Sequence, residues 1–409
     1  MITMFKAGKL SALTLGLTLM AGTAFAGPQM TFGPNDEGIL QLDYKGQFQM
    51  TVRDTGSGVN NDETTTNFGF RRNRIALMGK YGDMLSLYAQ TEFVGDSNVS
   101  TLGVGSNNDP AAEFQMLDAV MRFNVNDAFK VNVGKFKYNL SRENLEACEM
   151  PLTLDRSLFV RTAYTSTRDQ GVAVWGNLFN DVFQYRADVM EGRKAVSGDT
   201  APSSNFRYSV RGHVTLLDPE NDYGYKGTYM GKKKVLTFGG AYQFEPEVAY
   251  GNTVTKADKK DYTAWTVDAF FEYPLAEAGT ITASAAYEDV DLDDAYKGIV
   301  NVDPGTIGIN GQKNGWYVKG GYMLPILPLQ FFGRYEKWNF ATLNNVYDQK
   351  INWYGVGANY YFRDQNLKLT AEVSRTSFDK EGTNLDPQGG NALTSKDFTT
   401  FVTQLQLIF

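Results

Sequence analysis

The chain has one cysteine, Cys148, and one histidine, His213, among 409 residues. A single cysteine cannot form an internal disulfide, so nothing staples the fold from within. A single histidine excludes a multi-histidine zinc site. After residue 26 no run of 18 apolar residues occurs, and mean hydropathy is -0.34. Helical membrane spans are thereby excluded. There is no G-x-S-x-G elbow, no Walker A loop and no dinucleotide fingerprint. No C-x-x-C-H is present, so haem could come only with a partner. The chain calls for no cofactor and no metal. A net charge of -7 argues against nucleic acid as a partner.

What the chain does have is 23 Tyr, 27 Phe and 41 Gly. It opens with a basic stretch, Lys6 and Lys9, then the uncharged apolar run from Leu10 to Ala21. Ala24-Phe25-Ala26 is an A-x-A cleavage pattern. The pattern predicts a cleaved signal peptide over 1–26 and a single mature domain over 27–409. The apolar run is too short to span a bilayer as a helix.

The strongest signal has a period of two. Leu40, Leu42, Tyr44, Phe48, Met50 and Val52 share one phase, and Gln41, Asp43, Lys45, Gln47, Gln49, Thr51 and Arg53 share the other. A strand points successive side chains to opposite faces, so this segment is apolar on one face and polar on the other. The tail repeats the code: Phe401, Leu405, Leu407 and Phe409 alternate with Gln404 and Gln406. Sixteen such segments can be marked. Beyond residues 40–53, 72–81 and 85–93 they lie near 115–125, 129–137, 170–179, 182–190, 206–216, 234–244, 262–273, 280–288, 315–324, 329–338, 351–362, 366–376 and 398–409. Apolar and polar phases of about ten residues each predict an all-β fold, a 16-stranded antiparallel transmembrane barrel with a wet lumen. The first and last strands close against each other.

Connections alternate in length. Gly82-Asp83, Asn126-Asp127, Asn180-Asp181, Pro274–Gly279, Pro325–Pro328 and Arg363–Gln365 are short and rich in turn formers. Long polar stretches, 54–67, 95–113, 138–169, 191–205, 245–261, 289–314, 339–350 and 377–397, lie between them and predict outer loops. The stretch 217–233 falls on the short-turn side and is too long for it. The third long loop lacks alternation and carries Arg142, Glu143, Arg156, Arg161 and Arg168. A loop of this length in a compact domain points to function.

The polar phase of the strands carries thirteen basic and nine acidic residues. Pore-lining candidates for anion selectivity are Lys45, Arg53, Arg72, Arg74, Lys80, Arg122, Lys130, Arg186, Arg207 and Arg211. A basic wall concentrates anions in a narrow pore; pairing with lumen acids would cancel part of that field. The acidic run Glu288, Asp289, Asp291, Asp293 and Asp294 starts like a calcium loop, but Asp294 stands where glycine and Val300 where glutamate belong. An ordinary solvated loop, touching divalent ions at a lipopolysaccharide surface, accounts for it.

FRRNRIALMGKYGDMLSLYAQTEF (70–93), VGKFKYNLSRENLE (133–146), DRSLFV (155–160) and RDQGVAVWG (168–176) together resemble the phosphate-selective porin O and P family. The resemblance implies a trimeric outer-membrane porin of a Gram-negative bacterium that passes small hydrophilic solutes and whose third outer loop folds into the bore and narrows it; the thirteen-to-nine lumen count adds the expectation of a mild preference for anions such as phosphate. Its implied partners are outer-membrane lipid, lipopolysaccharide and two further copies of itself. Family members selective for phosphate use arginine ladders and a lysine cluster. Arg72 and Arg74 align with the arginine-rich strand; no lysine cluster aligns. Two other readings remain at this stage: a barrel sheath around a partner cytochrome, and a barrel enzyme using His213 in a serine–histidine dyad.

Overall fold

The computed structural model describes residues 27–60, 62–93, 114–157, 167–193, 202–252, 254–293, 295, 311–340, 349–381 and 396–409. The proposed signal peptide and Arg161 lie outside the described residues.

A short strand, β1 (Gln29–Phe32), lies along the start of β2 (Gly38–Ser57). Then come β3 (Glu63–Tyr81), β4 (Leu85–Phe93), β5 (Phe114–Asn126) and β6 (Phe129–Phe136). One helical turn, α1 (Arg142–Leu145), precedes β7 (Asp169–Leu178), β8 (Phe183–Met190) and β9 (Arg207–Thr215). The second half holds β10 (Val235–Asn252), β11 (Ala257–Pro274), β12 (Thr280–Asp291) and β13 (Lys313–Met323). It ends with β14 (Leu329–Phe340), β15 (Gln349–Arg363), β16 (Leu367–Phe378) and β17 (Phe398–Ile408).

Each strand from β2 to β17 pairs antiparallel with its chain neighbour, and β17 pairs with β2. The result is a closed barrel of sixteen strands with no free edge, which is what a lipid environment demands of a sheet. These are the sixteen segments marked by alternation. At the seam Leu405 lies opposite Phe48 and Gln404 opposite Gln49. Gln49 donates to Gln404 at 2.8 Å and Gln47 to Gln406 at 2.7 Å. Gln404 and Gln406 are 1% and 0% exposed, whereas Leu405 and Leu407 are 48% and 42% exposed. The polar phase therefore faces the bore and the apolar phase faces outward. Outward aromatics pair near both ends of the strands, as Trp265–Tyr287 and Trp316–Tyr335 at one end and Tyr360–Phe362 at the other. Such rings suit a membrane–water interface.

The short turns sit where expected. Asn180 and Asp181 take φ of 57° and 65°, the left-handed backbone of a type I′ hairpin. Two of the long connections differ from expectation. Most of 54–67 is strand, because β2 runs to Ser57 and β3 starts at Glu63. Likewise β10 and β11 extend to Asn252 and from Ala257, with an irregularity between Glu245 and Ala249. Beyond the lipid rim both faces of a strand can be polar. Alternation is then lost while backbone pairing continues, so pattern reading mistakes ladder for loop. The acidic run is also partly strand: Asp289 and Asp291 belong to β12, and Glu288 is buried.

Candidate functional site

The third loop turns into the bore directly after β6. Phe136, Tyr138 and Leu140 pack with Val248, Ala249, Tyr262 and Leu292 at the loop end of the barrel. Ser141 then caps α1, its Oγ accepting from the Asn144 amide at 3.1 Å. From Tyr138 to Ser157 nearly every residue is buried.

The acids of the loop meet cations of the wall. Glu149 pairs with Lys45 at 2.7 Å, Asp155 with Arg72 at 2.9 Å, and Glu143 with Lys319. Asp155 also accepts from Arg71 Nε at 2.8 Å. In a regular strand Arg71 and Arg72 would face opposite ways. The register slips between Gln47↔Arg72 and Phe48↔Phe70, leaving Arg71 as the extra residue of a β-bulge. Phe70 keeps facing Phe48 outside while both arginines reach one carboxylate inside. Phase counting missed Arg71 for this reason; three arginines in four positions was the available signal.

Backbone contacts complete the docking. Arg334 donates to the Asp155 carbonyl at 3.0 Å, Asn359 to that of Leu152 at 2.9 Å and Gln406 to that of Glu149 at 3.0 Å. The loop thus lies along the wall formed by β13 to β17, β2 and β3.

The stretch 217–233 is the second inward element. It leaves the turn end between β9 and β10 and rises to meet the third loop. Arg142 forms a bidentate pair with Glu220 at 2.7 and 2.8 Å, and Tyr225 bridges Glu146 backbone to backbone. Burial alone would raise the Glu220 carboxyl, but the Arg142 guanidinium outweighs it and holds Glu220 down at about 2.

The pore-lining candidates fall into two groups. Lys45, Arg72, Arg74, Arg207 and Arg211 are bound to Glu149, Asp155, Glu92, Glu245 and Asp268 respectively. Lys80 and Lys130 pair with Asp83 and Asp127 in the turns, and Lys130 also lies 4.6 Å from the Trp175 ring. Arg53 lies over Phe398 at 4.0 Å. Among the described residues, Arg122 and Arg186 form no ion pair. Arg122 stands 5.5 Å from the Tyr88 ring, and Arg186 lies 4.7 and 4.6 Å from the rings of Tyr223 and Tyr225. Of the loop candidates, Arg168 is bound to Asp118. Among the described residues the Arg156 guanidinium is hydrogen-bonded to the backbone oxygens of Glu143 and Asn144 and to no carboxylate.

Lys137, not among the sequence candidates, likewise has no carboxylate partner among the described residues. Its Nζ donates to the Glu146 carbonyl at 2.5 Å and lies 3.9 Å from Cys148 Sγ. Burial, with Arg156 and Arg168 nearby, lowers its ammonium to about 8. Burial would raise the Cys148 thiol, yet Arg156, Lys137, Arg72 and Arg74 hold it well below its usual range. Tyr88, Arg122, Lys130, Lys137, Arg156 and Tyr223 all keep partial exposure, and none of them is covered as the β13–β17 wall is.

His213 bonds through Nδ1 to the Tyr225 hydroxyl at 2.7 Å, not to a serine. Among the described residues no three His, Cys, Asp or Glu side chains gather as a metal site.

A family model described as phosphate-selective porin O and P matches residues 42–409. No curated protein sequence matches the chain. Among solved structures, OmpF of Salmonella typhi in complex with daunomycin superposes with a TM-score of 0.56 at 14% identity, covering 93% of this chain and 100% of that one. The outer membrane channel DcaP of Acinetobacter baumannii gives 0.53 at 14%, covering 92% and 99%. In-vitro folded OmpT, an outer membrane protein of Vibrio cholerae in a trimer form, gives 0.50 at 15%, covering 90% and 99%. At such identities these likenesses bear on the fold alone.

Proposed function

The chain belongs to the phosphate-selective porin O and P family, and we propose that it forms a water-filled outer-membrane channel for passive diffusion of small hydrophilic solutes, with mild anion preference. Solute moves down its own gradient, so no catalytic group is required. The observation that carries the anion preference is that, among the described residues, the lumen cations Arg122, Lys137, Arg156 and Arg186 have no carboxylate partner. Fixed positive charge in a narrow, partly desolvated bore favours anions over cations. The cations bound to the docked loop contribute little to that field, since each sits beside its counter-charge. Arg71, Arg72 and Arg74 form a short arginine run, but Asp155 and Glu92 occupy it. Inorganic phosphate therefore counts here as one small anion among others.

The family and the outer-membrane neighbours support the location, and residues 1–26 would supply export. The trimer form of the V. cholerae protein supports a homotrimer embedded in outer-membrane lipid and lipopolysaccharide. A cytochrome sheath would need an empty bore, and two inward elements occupy this one. Phosphate added to one side of a planar bilayer tests the solute: shallow competition with chloride conductance fits the reading, and strong block at low phosphate would replace it with a dedicated phosphate channel.

A further inference from the structure

Sixteen strands need only short turns at the end where β9 meets β10, yet 217–233 enters the bore there. Three kinds of contact tie it to the third loop. Both ends of the Arg142–Glu220 pair are almost fully buried, and Arg142 also lies 4.5 Å from the Tyr225 ring. Three backbone bonds run between the two segments: Tyr225 N to Leu145 O at 3.3 Å, Ala147 N to Tyr225 O at 2.9 Å and Gly227 N to Met150 O at 2.9 Å. The approach is close enough that a Cβ on Gly227 would stand 2.5 Å from Leu152 N and 2.8 Å from Met150 O. The far side of the segment is fixed to the wall, where Glu272 accepts from Tyr229 N, Gly231 N and Thr228 Oγ1.

We propose that 217–233 is a strap that positions the third loop from the turn end, with Glu220 and Tyr225 as its positioning residues. The strap carries a chain of contacts from the β11 wall through Glu272 and Glu220 to Arg142. Without it Arg142 is a buried guanidinium with no counter-charge, and Leu145, Ala147 and Met150 lose backbone partners inside the bore. Each such group would draw water, and the loop would leave its seat. Strap and loop leave Arg122 and Lys137 partly exposed. The constriction is therefore built from both ends of the barrel, not from the outer loop alone.

The inference rests on the channel reading, so its test uses two readouts. Cys148 is the chain's single cysteine and adjoins the strapped residue Ala147. The first readout is its labelling by N-ethylmaleimide in the folded full-length protein in detergent micelles. Wild type should label slowly. Glu220→Gln and Gly227→Ala should each raise the rate about tenfold or more, the factor that ~1.4 kcal/mol of lost closing free energy produces. The charge-swapped pair Arg142→Glu with Glu220→Arg should slow it again. The second readout is single-channel recording, where Glu220→Gln should replace a steady level with fluctuating ones. Gly227→Ala alters no charge, so it keeps the test decisive if Glu220→Gln does not fold. Labelling of both variants at the wild-type rate overturns the strap. A wild type that does not conduct overturns the channel reading, while the labelling result still decides the strap.

Discussion

Lys45 of β2 and Glu149 of the third loop form an ion pair of 2.7 Å inside the bore, and neither is much exposed. Its position in the polar phase marks Lys45 as a cation for passing anions. The structure gives it a partner more than a hundred positions on in the chain, and so a second role: holding the loop. Lys45→Met should therefore act mainly on the loop. Breaking a buried pair from one side costs about 3–5 kcal/mol, because the remaining charge is left uncompensated. Single-channel recordings should show a larger, noisier conductance with little change in ion preference. An unchanged conductance with reduced anion preference would assign Lys45 to the solute instead.

The cations without carboxylate partners should behave in the opposite way. Arg122→Gln and Lys137→Gln remove no ion pair among the described residues, so the barrel and loop should stay folded. Proteoliposome swelling should slow for small anionic solutes and stay constant for neutral ones of the same size. Equal slowing for both classes would mean that these side chains set width, not charge.

Lys137 also gives a pH dependence with a definite sign. Burial lowers its ammonium from the usual lysine range to about 8. Its charge is present below that value and is lost as pH rises through it. Anion preference should fall between about pH 7 and about pH 9, where an unperturbed lysine would hold its charge. Lys137→Arg, charged throughout, should abolish the change. A preference flat across this range in wild type would contradict the assignment.

Phe409 fastens the seam at its lower end. Tyr44 N donates to Phe409 O at 2.7 Å, Phe409 N to Tyr44 O at 3.1 Å, and the two rings lie 5.5 Å apart. Deleting Phe409 removes both bonds, a loss of about 1–3 kcal/mol at the closing pair. Refolding into detergent, followed on unheated gels, should give less of the compact form. A yield equal to wild type would show that closure does not need this contact.

The barrel was legible because alternation is a local property. Leu405 and Gln404 declare their faces whatever pairs with them, and Gly82 or Asn180 marks a turn by its own backbone needs. Three features were not legible, each for a physical reason. The hairpin from Ser57 to Glu63 has no lipid beside it, so nothing imposes a two-face code on its ladder. Arg71 faces inward only because a bulge opposite Gln47 and Phe48 shifts the phase. Whether a lumen cation is paired depends on residues far along the chain: Lys45 meets Glu149, while Arg122 meets the Tyr88 ring and no carboxylate among the described residues. Phase places a charge in the bore, and only the folded loop and strap determine what it faces. The excess length of 217–233 was visible, but its inward path follows from Glu220 finding Arg142, which no local pattern records.

The central claim, an open bore with a net preference for anions, is tested most directly by the reversal potential of the purified protein in a planar bilayer under a potassium chloride gradient. The account predicts a potential displaced towards the chloride equilibrium value, moving back towards zero in Arg122→Gln. Displacement towards the potassium value would contradict it.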